Sequence, residues 1–223
     1  MLILDLCGGT GSWSEPYYAA GYEVVVVDPF STADGAIRRD VRQFSATTSG
    51  LGQVHGVLCA PPCTQFSVSG ARWWKSKPPE LLKEAISIVE ACLRVVRECE
   101  PKWWALENPA GRLRKFIGDP SYSFQPWEFG DPWTKRTCIW GEHSLPVPIP
   151  CATKPVSEPG KRWKQSLTNH LSPKPTAAQI SKLVTSGMFP PDWVHRLGPS
   201  PLRATLRSIT PPGFARAFFL ANP

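Results

Sequence analysis

A doubly wound α/β domain on a mostly parallel sheet is the fold class this sequence predicts, and three observations predict it. Short apolar or β-branched runs alternate with helix-period stretches as far as Pro109, the pattern of consecutive βαβ units. The residues able to do chemistry fall at the ends of those runs, where open α/β sheets collect their ligands. The chain has 223 residues, 42% hydrophobic and 19% charged, enough to bury a core without a disulfide or metal framework.

Residues 1–6, MLILDL, read as a short buried strand that meets the glycine cluster CGGTGS. A helix is predicted from Trp13 to Ala20. Tyr22 to Val27, β-branched and too short for a helix, is the second strand, closed by Asp28-Pro29. The third, Val54 to Cys59, runs into the rigid turn Ala60-Pro61-Pro62-Cys63. Over 79–99, Leu82, Ile86, Val89, Leu93 and Val96 recur at three- and four-residue spacing, the stripe of an amphipathic helix that ends before Pro101. A fourth strand, Trp103 to Leu106, leads into Glu107-Asn108-Pro109. Parallel crossovers then bring Asp5, Asp28, Cys63 and Glu107 to one edge of the sheet.

Beyond Pro120 the pattern turns irregular, with strands expected near Tyr122–Phe129 and Arg136–Trp140, a helix near Ala177–Ser186 and a last helix from Pro212 to Ala221. Only six of the 25 prolines lie in the first hundred residues, so the second half should hold fewer long helices and more fixed loops. There is no internal repeat.

The net charge is +7, and much of the excess is local: residues 141–207 carry nine Lys/Arg against three Asp/Glu. A basic, loop-rich segment fits a polyanion, though a plain solvated surface reads the same way. Seven cysteines, an odd number with no CxxC pair, argue against a disulfide framework and a structural zinc, and for a reducing compartment. No stretch reaches transmembrane length and the chain opens on a strand rather than a charged leader. The expectation is a soluble, cytoplasmic, metal-free monomer with no membrane partner.

Gly8-Gly9-Thr10-Gly11, after a strand and before a helix, lets backbone approach a ligand and aims a helix N-terminus at it. Such a cluster serves a dinucleotide, another adenosine-bearing cofactor or a plain tight turn equally well. Asp28, ending the next strand, can accept both ribose hydroxyls, which narrows the choice to an adenosine-bearing cofactor.

The string Pro61-Pro62-Cys63-Thr64-Gln65-Phe66-Ser67-Val68-Ser69-Gly70 is more specific. It resembles PPCxxFSxxG, the nucleophile motif of the C5-cytosine DNA methyltransferases, matched at every fixed position. Glu107-Asn108-Pro109 resembles that family's ENV-type motif. The resemblance implies a Rossmann-like catalytic domain using S-adenosyl-L-methionine, double-stranded DNA as partner and a base flipped out of the helix. The chemistry accounts for the residue types. C5 of cytosine is too weak a nucleophile to take a methyl group until a thiolate adds to C6, so an exposed cysteine is needed; Cys63 is that residue. A carboxyl able to hydrogen-bond N3 as charge flows into the ring is needed as well, and Glu107 fills that place.

The remaining correspondences are partial. Thr134-Lys135-Arg136-Thr137-Cys138 resembles the family's QxRxR segment; Arg136 keeps the first arginine, counted here with the catalytic residues, and Cys138 stands in place of the second. The cofactor would lie on Asp5, Leu6, Cys7, Gly8, Gly9, Thr10 and Gly11, on Asp28 and Pro29, on Asp40 and Val41, and on Pro61. Cys7 stands where the family carries an aromatic against adenine, for which Trp13 could compensate. Pro211-Pro212-Gly213-Phe214 falls at the family's final motif without its usual asparagine. The resemblance spans about residues 1–141 and 208–221, giving a catalytic domain of 1–145 plus 205–223 and a reduced target-recognition region of 146–204. DNA contacts are assigned to Ser67, Ser69, Arg72, Lys135, Arg162 and Lys164, with Asn169-His170 as further readers and Arg72-Trp73-Trp74-Lys75 in a mobile loop over the base. The compact size resembles phage-borne cytosine methylases and their restriction–modification relatives.

Four other readings compete, of which a nicotinamide dehydrogenase explains the glycine cluster and Asp28 but leaves PPCxxFS and Glu107-Asn108-Pro109 without purpose. An amino-methyltransferase needs a D/N/S-PP-Y/F/W motif, and Ala60-Pro61-Pro62-Cys63 lacks both ends of it. A tRNA cytosine C5-methyltransferase shares the carbon chemistry. A catalytically weak nucleic-acid binder is the reading that Cys138 favours.

Overall fold

A computed structural model describes residues 1–149, 155, 179, 182–184, 191–193 and 206–223. Arg162, Lys164, Asn169-His170 and most of the predicted helix near 177–186 lie outside the described residues, although Gln179 and residues 182–184 are helical.

Six strands form one sheet in the order β2-β1-β3-β4-β6-β5: β1 Leu2–Leu6, β2 Glu23–Val27, β3 Val54–Cys59, β4 Trp103–Pro109, β5 Tyr122–Phe124 and β6 Thr137–Trp140. The pairings of β1 with β2, β1 with β3 and β3 with β4 are parallel, and β6 runs against both β4 and β5. The fold is the predicted doubly wound, mostly parallel α/β sheet. From β1 the chain goes to β2 on one side and then crosses to β3 on the other, so the switch point lies between β1 and β3. In open sheets of this kind the ligand crevice lies there, beyond the strands' carboxyl ends.

Both faces of the sheet are covered, which is why β1 is buried along its whole length. On one face Leu2, Leu4, Leu6, Val57 and Cys59 pack on α2, Pro79–Cys99, through Val89, Cys92 and Val96. That helix has the predicted bounds, and it ends at Glu100 in a left-handed conformation before Pro101. On the other face Ile3, Leu58 and Trp103 meet α1, Glu15–Ala19, and the last described helix, through Tyr17, Phe214 and Phe218; that helix, Pro212–Ala221, is α4, the short helix Arg114–Ile117 after β4 being α3.

Three elements differ from the sequence reading. The first helix begins at Glu15, because residues 11–14 are spent on a turn that sends the Trp13 ring into the core. The stretch Tyr122–Phe129 divides at Pro126, which cannot donate to a strand ladder and instead opens a 3₁₀ turn, Pro126–Phe129, closed by a capping box between Gln125 and Glu128. The fourth strand runs on through Pro109, since β6 pairs with it to that point.

Among the strands, β6 alone approaches the crevice with its beginning rather than its end. As the reversed strand, it starts at the edge where its parallel neighbours finish, with Thr137 opposite Pro109. Residues just before it are therefore delivered to the carboxyl edge of the sheet.

Candidate active site

The site is built on the exits of β1, β2, β3 and β4. Cys63 follows β3 across Pro61 and Pro62, and its carbonyl accepts from the N–H groups of Phe66 (2.9 Å) and Ser67 (3.0 Å), which closes a helical turn directly behind the thiol. Phe66 is buried and anchors that turn in the core. The loop is then laced to the exit of β4: Val68 donates to Ala110 O, Arg112 to Phe66 O, and the Arg112 guanidinium bonds Gln65 O while lying over the Trp74 ring. A Cβ at Gly111 would stand 1.9 Å from Phe66 O, so this close approach of two backbones needs glycine.

Asn108 is the strut between the two motifs. Fully buried, it donates through Nδ2 to Pro61 O at 3.0 Å, tying the exit of β4 to the proline turn that carries the thiol. The sequence reading contained Asn108 without giving it this role; the signal was present, because a buried asparagine between a catalytic-type glutamate and a proline needs a partner.

Lys135 is brought in beside Glu107. It is 7% exposed, and its Nζ lies 3.6 Å from Glu107 Oε1. Its segment is held from several sides: Thr134 N donates to Pro191 O, Lys135 N donates to Gln125 Oε1, Thr137 Oγ1 donates to Lys135 O, and Trp193 packs edge-on against Trp133. Arg136, given a catalytic place by the motif resemblance, is exposed, while its carbonyl accepts from Ala110 N. The backbone pairing through Arg136 fixes the register, and that register turns Lys135 inward and Arg136 outward. Cys138 is buried on β6 opposite Asn108.

These charges act on the thiol in opposite directions. Burial pushes the Cys63 thiol up; Lys135 and Arg207 pull it back, and Glu107 pushes it up further. Arg207, which the sequence reading left without a role, reaches the same loop, its Nη2 donating to Ser69 Oγ at 2.8 Å. Ser69 is thus engaged within the chain, and Ser67 is buried with its hydroxyl shared with Ser69. Arg72 is exposed over the ring of Trp73.

At the other end of the crevice, Asp5 is completely buried at the tip of β1. Its Oδ2 accepts from Ser14 Oγ at 2.6 Å, whereas Oδ1 has no hydrogen-bond partner among the described residues. Burial drives its carboxyl up to about 7. Gly8 lies against it, where a Cβ would sit 2.4 Å from the Asp5 carboxyl carbon. Gly9, Thr10 and Gly11 line the partly buried turn that follows. The carboxylate of Asp28 accepts from Gly9 N and Phe30 N, leaving each oxygen a further lone pair for a ligand hydroxyl. Pro29 is exposed beside it.

Several assigned cofactor residues are turned elsewhere. Leu6 and Val41 have core side chains; the Leu6 carbonyl accepts from Ala60 and the Val41 carbonyl from Arg94. Cys7 sits at φ 56° with its sulfur 4.0 Å from that of buried Cys92, facing the core. Pro61 is buried with its carbonyl taken by Asn108. Asp40 caps the 3₁₀ turn Val41–Gln43 and is paired with Arg42, whose guanidinium holds its carboxyl below the usual range. Trp13 is 2% exposed between Phe214 and Phe218, so it presents no face to a ligand. Phe30, 88% exposed two residues past Asp28, does present one, and an aromatic next to a strand-end carboxylate was the signal that could have found it.

The fold and site define a class: a doubly wound α/β domain whose crevice joins an acidic, glycine-lined half to a half that holds a thiol, a carboxylate and an ammonium. No protein-family model matches the chain. It is similar to the Type II methyltransferase M.AquIA of Picosynechococcus sp., with 23% identity over 186 residues that cover 76% of this chain and 63% of the relative. Among solved structures it is similar to one described as a DNA modification methyltransferase encoded within an E. coli prophage, with a TM-score of 0.49 and 17% identity, covering 72% of this chain and 56% of that one. The chain thus spans less than two thirds of either relative. No described helix is long and apolar enough to cross a membrane.

Proposed function

We propose that this chain is a DNA methyltransferase that transfers a methyl group from S-adenosyl-L-methionine to C5 of cytosine through a covalent adduct between Cys63 and C6 of a flipped-out base. The observation that carries the reading is the strut from Asn108 to Pro61, because it joins the two motifs of the resemblance into one rigid unit. A cysteine and a glutamate matched separately could have fallen far apart. The sequence likeness to a Type II methyltransferase supports the same reaction class.

In this reading the Cys63 thiolate adds to C6 while Glu107 meets N3, so the electron pair displaced from the C5–C6 double bond is stabilised in the ring and made available at C5. The bound cofactor supplies an electrophilic methyl group to C5. Loss of the C5 proton to water or a base then lets the C6–S bond break, and Cys63 leaves as the thiolate.

The residues present fit the cofactor. The buried Oδ1 of Asp5, unpartnered among the described residues, would accept from the cofactor's α-ammonium, and Gly8 and Gly9 would let it approach; Asp28 would take the ribose hydroxyls and Phe30 would offer adenine a ring face. Residues 1–145 with 205–223 form the catalytic domain and 146–204 the recognition region.

Incubation of duplex DNA with the protein and methyl-labelled cofactor, followed by nucleoside mass spectrometry and bisulfite sequencing, tests the reading. Label in 5-methylcytosine is expected. Label in N4-methylcytosine or N6-methyladenine would overturn it, and label appearing in tRNA at equal rate would move the substrate assignment to RNA.

A further inference from the structure

We propose that Lys135 is the charge-setting residue of this site: its ammonium, seated against Glu107, orients that carboxylate and draws Cys63 toward its thiolate, supplying from the strand's entry the cation that residue 138, a cysteine, cannot. This inference rests on the proposed function for its purpose, though not for its test.

A lysine whose side chain is 9% exposed is uncommon, because burying an ammonium is costly unless a charge answers it. The Glu107 side chain, 12% exposed, answers it at 3.6 Å. That separation is longer than a hydrogen bond, and Glu107 Oε1 is without a hydrogen-bond partner among the described residues, so the pair is not closed on itself. The separation leaves donor and acceptor capacity on both groups, with which a pyrimidine carbonyl and N3 could be met together.

The surrounding charge singles out the same residue. Among the described residues the groups whose charges act on Cys63 are Lys135, Glu107 and Arg207, while Lys77 donates to Thr64 O and to the Gln65 side chain at Oε1. Arg207 is already committed to Ser69 Oγ and Arg136 points to solvent. Among the described residues at this site, Lys135 is therefore the buried cation with hydrogens to spare, and its backbone is pinned on both sides through Gln125 and Thr137. The sequence reading placed Lys135 among the DNA contacts; its burial beside Glu107 favours a place within the site itself.

Acting through Cys63 and Glu107, Lys135 is a positioning residue, and its effect is read without substrate. Cys63 alkylation by iodoacetamide, followed by peptide mass spectrometry across a pH series, gives the thiol's midpoint in the full chain. Lys135→Met is expected to raise the midpoint and slow alkylation at pH 7.5 by up to about tenfold, the consequence of one pH unit in thiolate fraction. Lys135→Arg should keep the midpoint within a few tenths, and Glu107→Gln should lower it. In turnover, Lys135→Met should cut kcat with little change in KM for DNA or in its salt dependence, whereas a phosphate contact would show the reverse.

An unchanged midpoint in a folded Lys135→Met protein overturns the proposal, as does a rise in KM alone. If that variant does not fold, a Lys135→Arg midpoint displaced upward, or a Glu107→Gln midpoint displaced upward, overturns it. Failure of the broader reading is separately visible, because it shows as absence of 5-methylcytosine with the unmodified protein whatever the alkylation profile.

Discussion

Asp5 and Glu107 stand at the carboxyl ends of β1 and β4, two strands apart in one sheet, and both are largely buried carboxylates. They differ in company. Glu107 has Lys135 beside it, whereas Asp5 has a serine hydroxyl on one oxygen and nothing on the other among the described residues. Desolvation unopposed by a cation pushes the Asp5 carboxyl up to about 7. The protein has thus neutralised one half of its crevice from within and left the other half's charge unanswered. An incoming cation completes the first strand's end, and an incoming neutral base with developing negative charge suits the fourth.

The largest break in this comparison comes from the base half. Cys63→Ala is expected to abolish methylation while the cofactor still raises the melting temperature as in the unmodified protein, because the thiol serves only the base; full activity in that variant ends the covalent reading. Glu107→Gln keeps the shape and removes the acid–base function, and should slow turnover by roughly 10²–10⁴-fold in single-turnover assays. A loss of cofactor affinity in either variant would show that the two halves are not separable.

The cofactor half predicts a pH dependence of definite sign. With its native pKa raised from 3.8 to about 7, the Asp5 carboxyl favours the folded state most below the unfolded value, and this contribution is lost as pH climbs toward 7. A ligand ammonium relieves the ionised form, so the melting-temperature gain on adding S-adenosylmethionine should grow between about pH 5 and 8. Asp5→Asn should flatten that growth and weaken binding by about 10–100-fold at pH 8, the worth of a charge-assisted hydrogen bond of about 1.5–3 kcal/mol. Calorimetric titration at the two pH values decides it; equal affinity in both proteins would mean that Asp5 meets no cation.

The same division separates what the sequence made legible from what it did not. The sheet, α2 and the edge carrying Asp5, Asp28, Cys63 and Glu107 were readable, because β-branched runs and a 3.6-residue stripe are local signals. Lys135 and Arg136 were not distinguishable, since which of them faces the crevice depends on where β6 starts, and the exit of β4 decides that from far along the chain, Ala110 donating to the Arg136 carbonyl. Trp13 illustrates the same limit in the opposite direction. An aromatic beside a glycine turn looks available to a ligand, yet Phe214 and Phe218 on α4 claim it for the core. Phe30 had no role in the sequence reading, since its exposure is a property of the folded chain, where it is left in solvent.

A third buried carboxyl supplies the control, with the smallest effect. Asp131 is also driven up to about 7 by burial, but the backbone N–H groups of Gly213 and Phe214 at the start of α4 both bond to it, and Arg216 is near. Asp131 therefore shares the pKa of Asp5 without its unmet acceptor, and its role is to tie the last helix to the segment ahead of β6. Asp131→Ala strands two helix-terminal donors and should cost about 1–2 kcal/mol. For a chain of this size that lowers Tm by roughly 2–8 °C. Because the native carboxyl titrates above the unfolded one, the loss should be larger at pH 5 than at pH 8, and adding cofactor should leave that difference unchanged. Cofactor-sensitive behaviour at Asp131 would erase the distinction drawn for Asp5, since both groups would then be reporting burial alone.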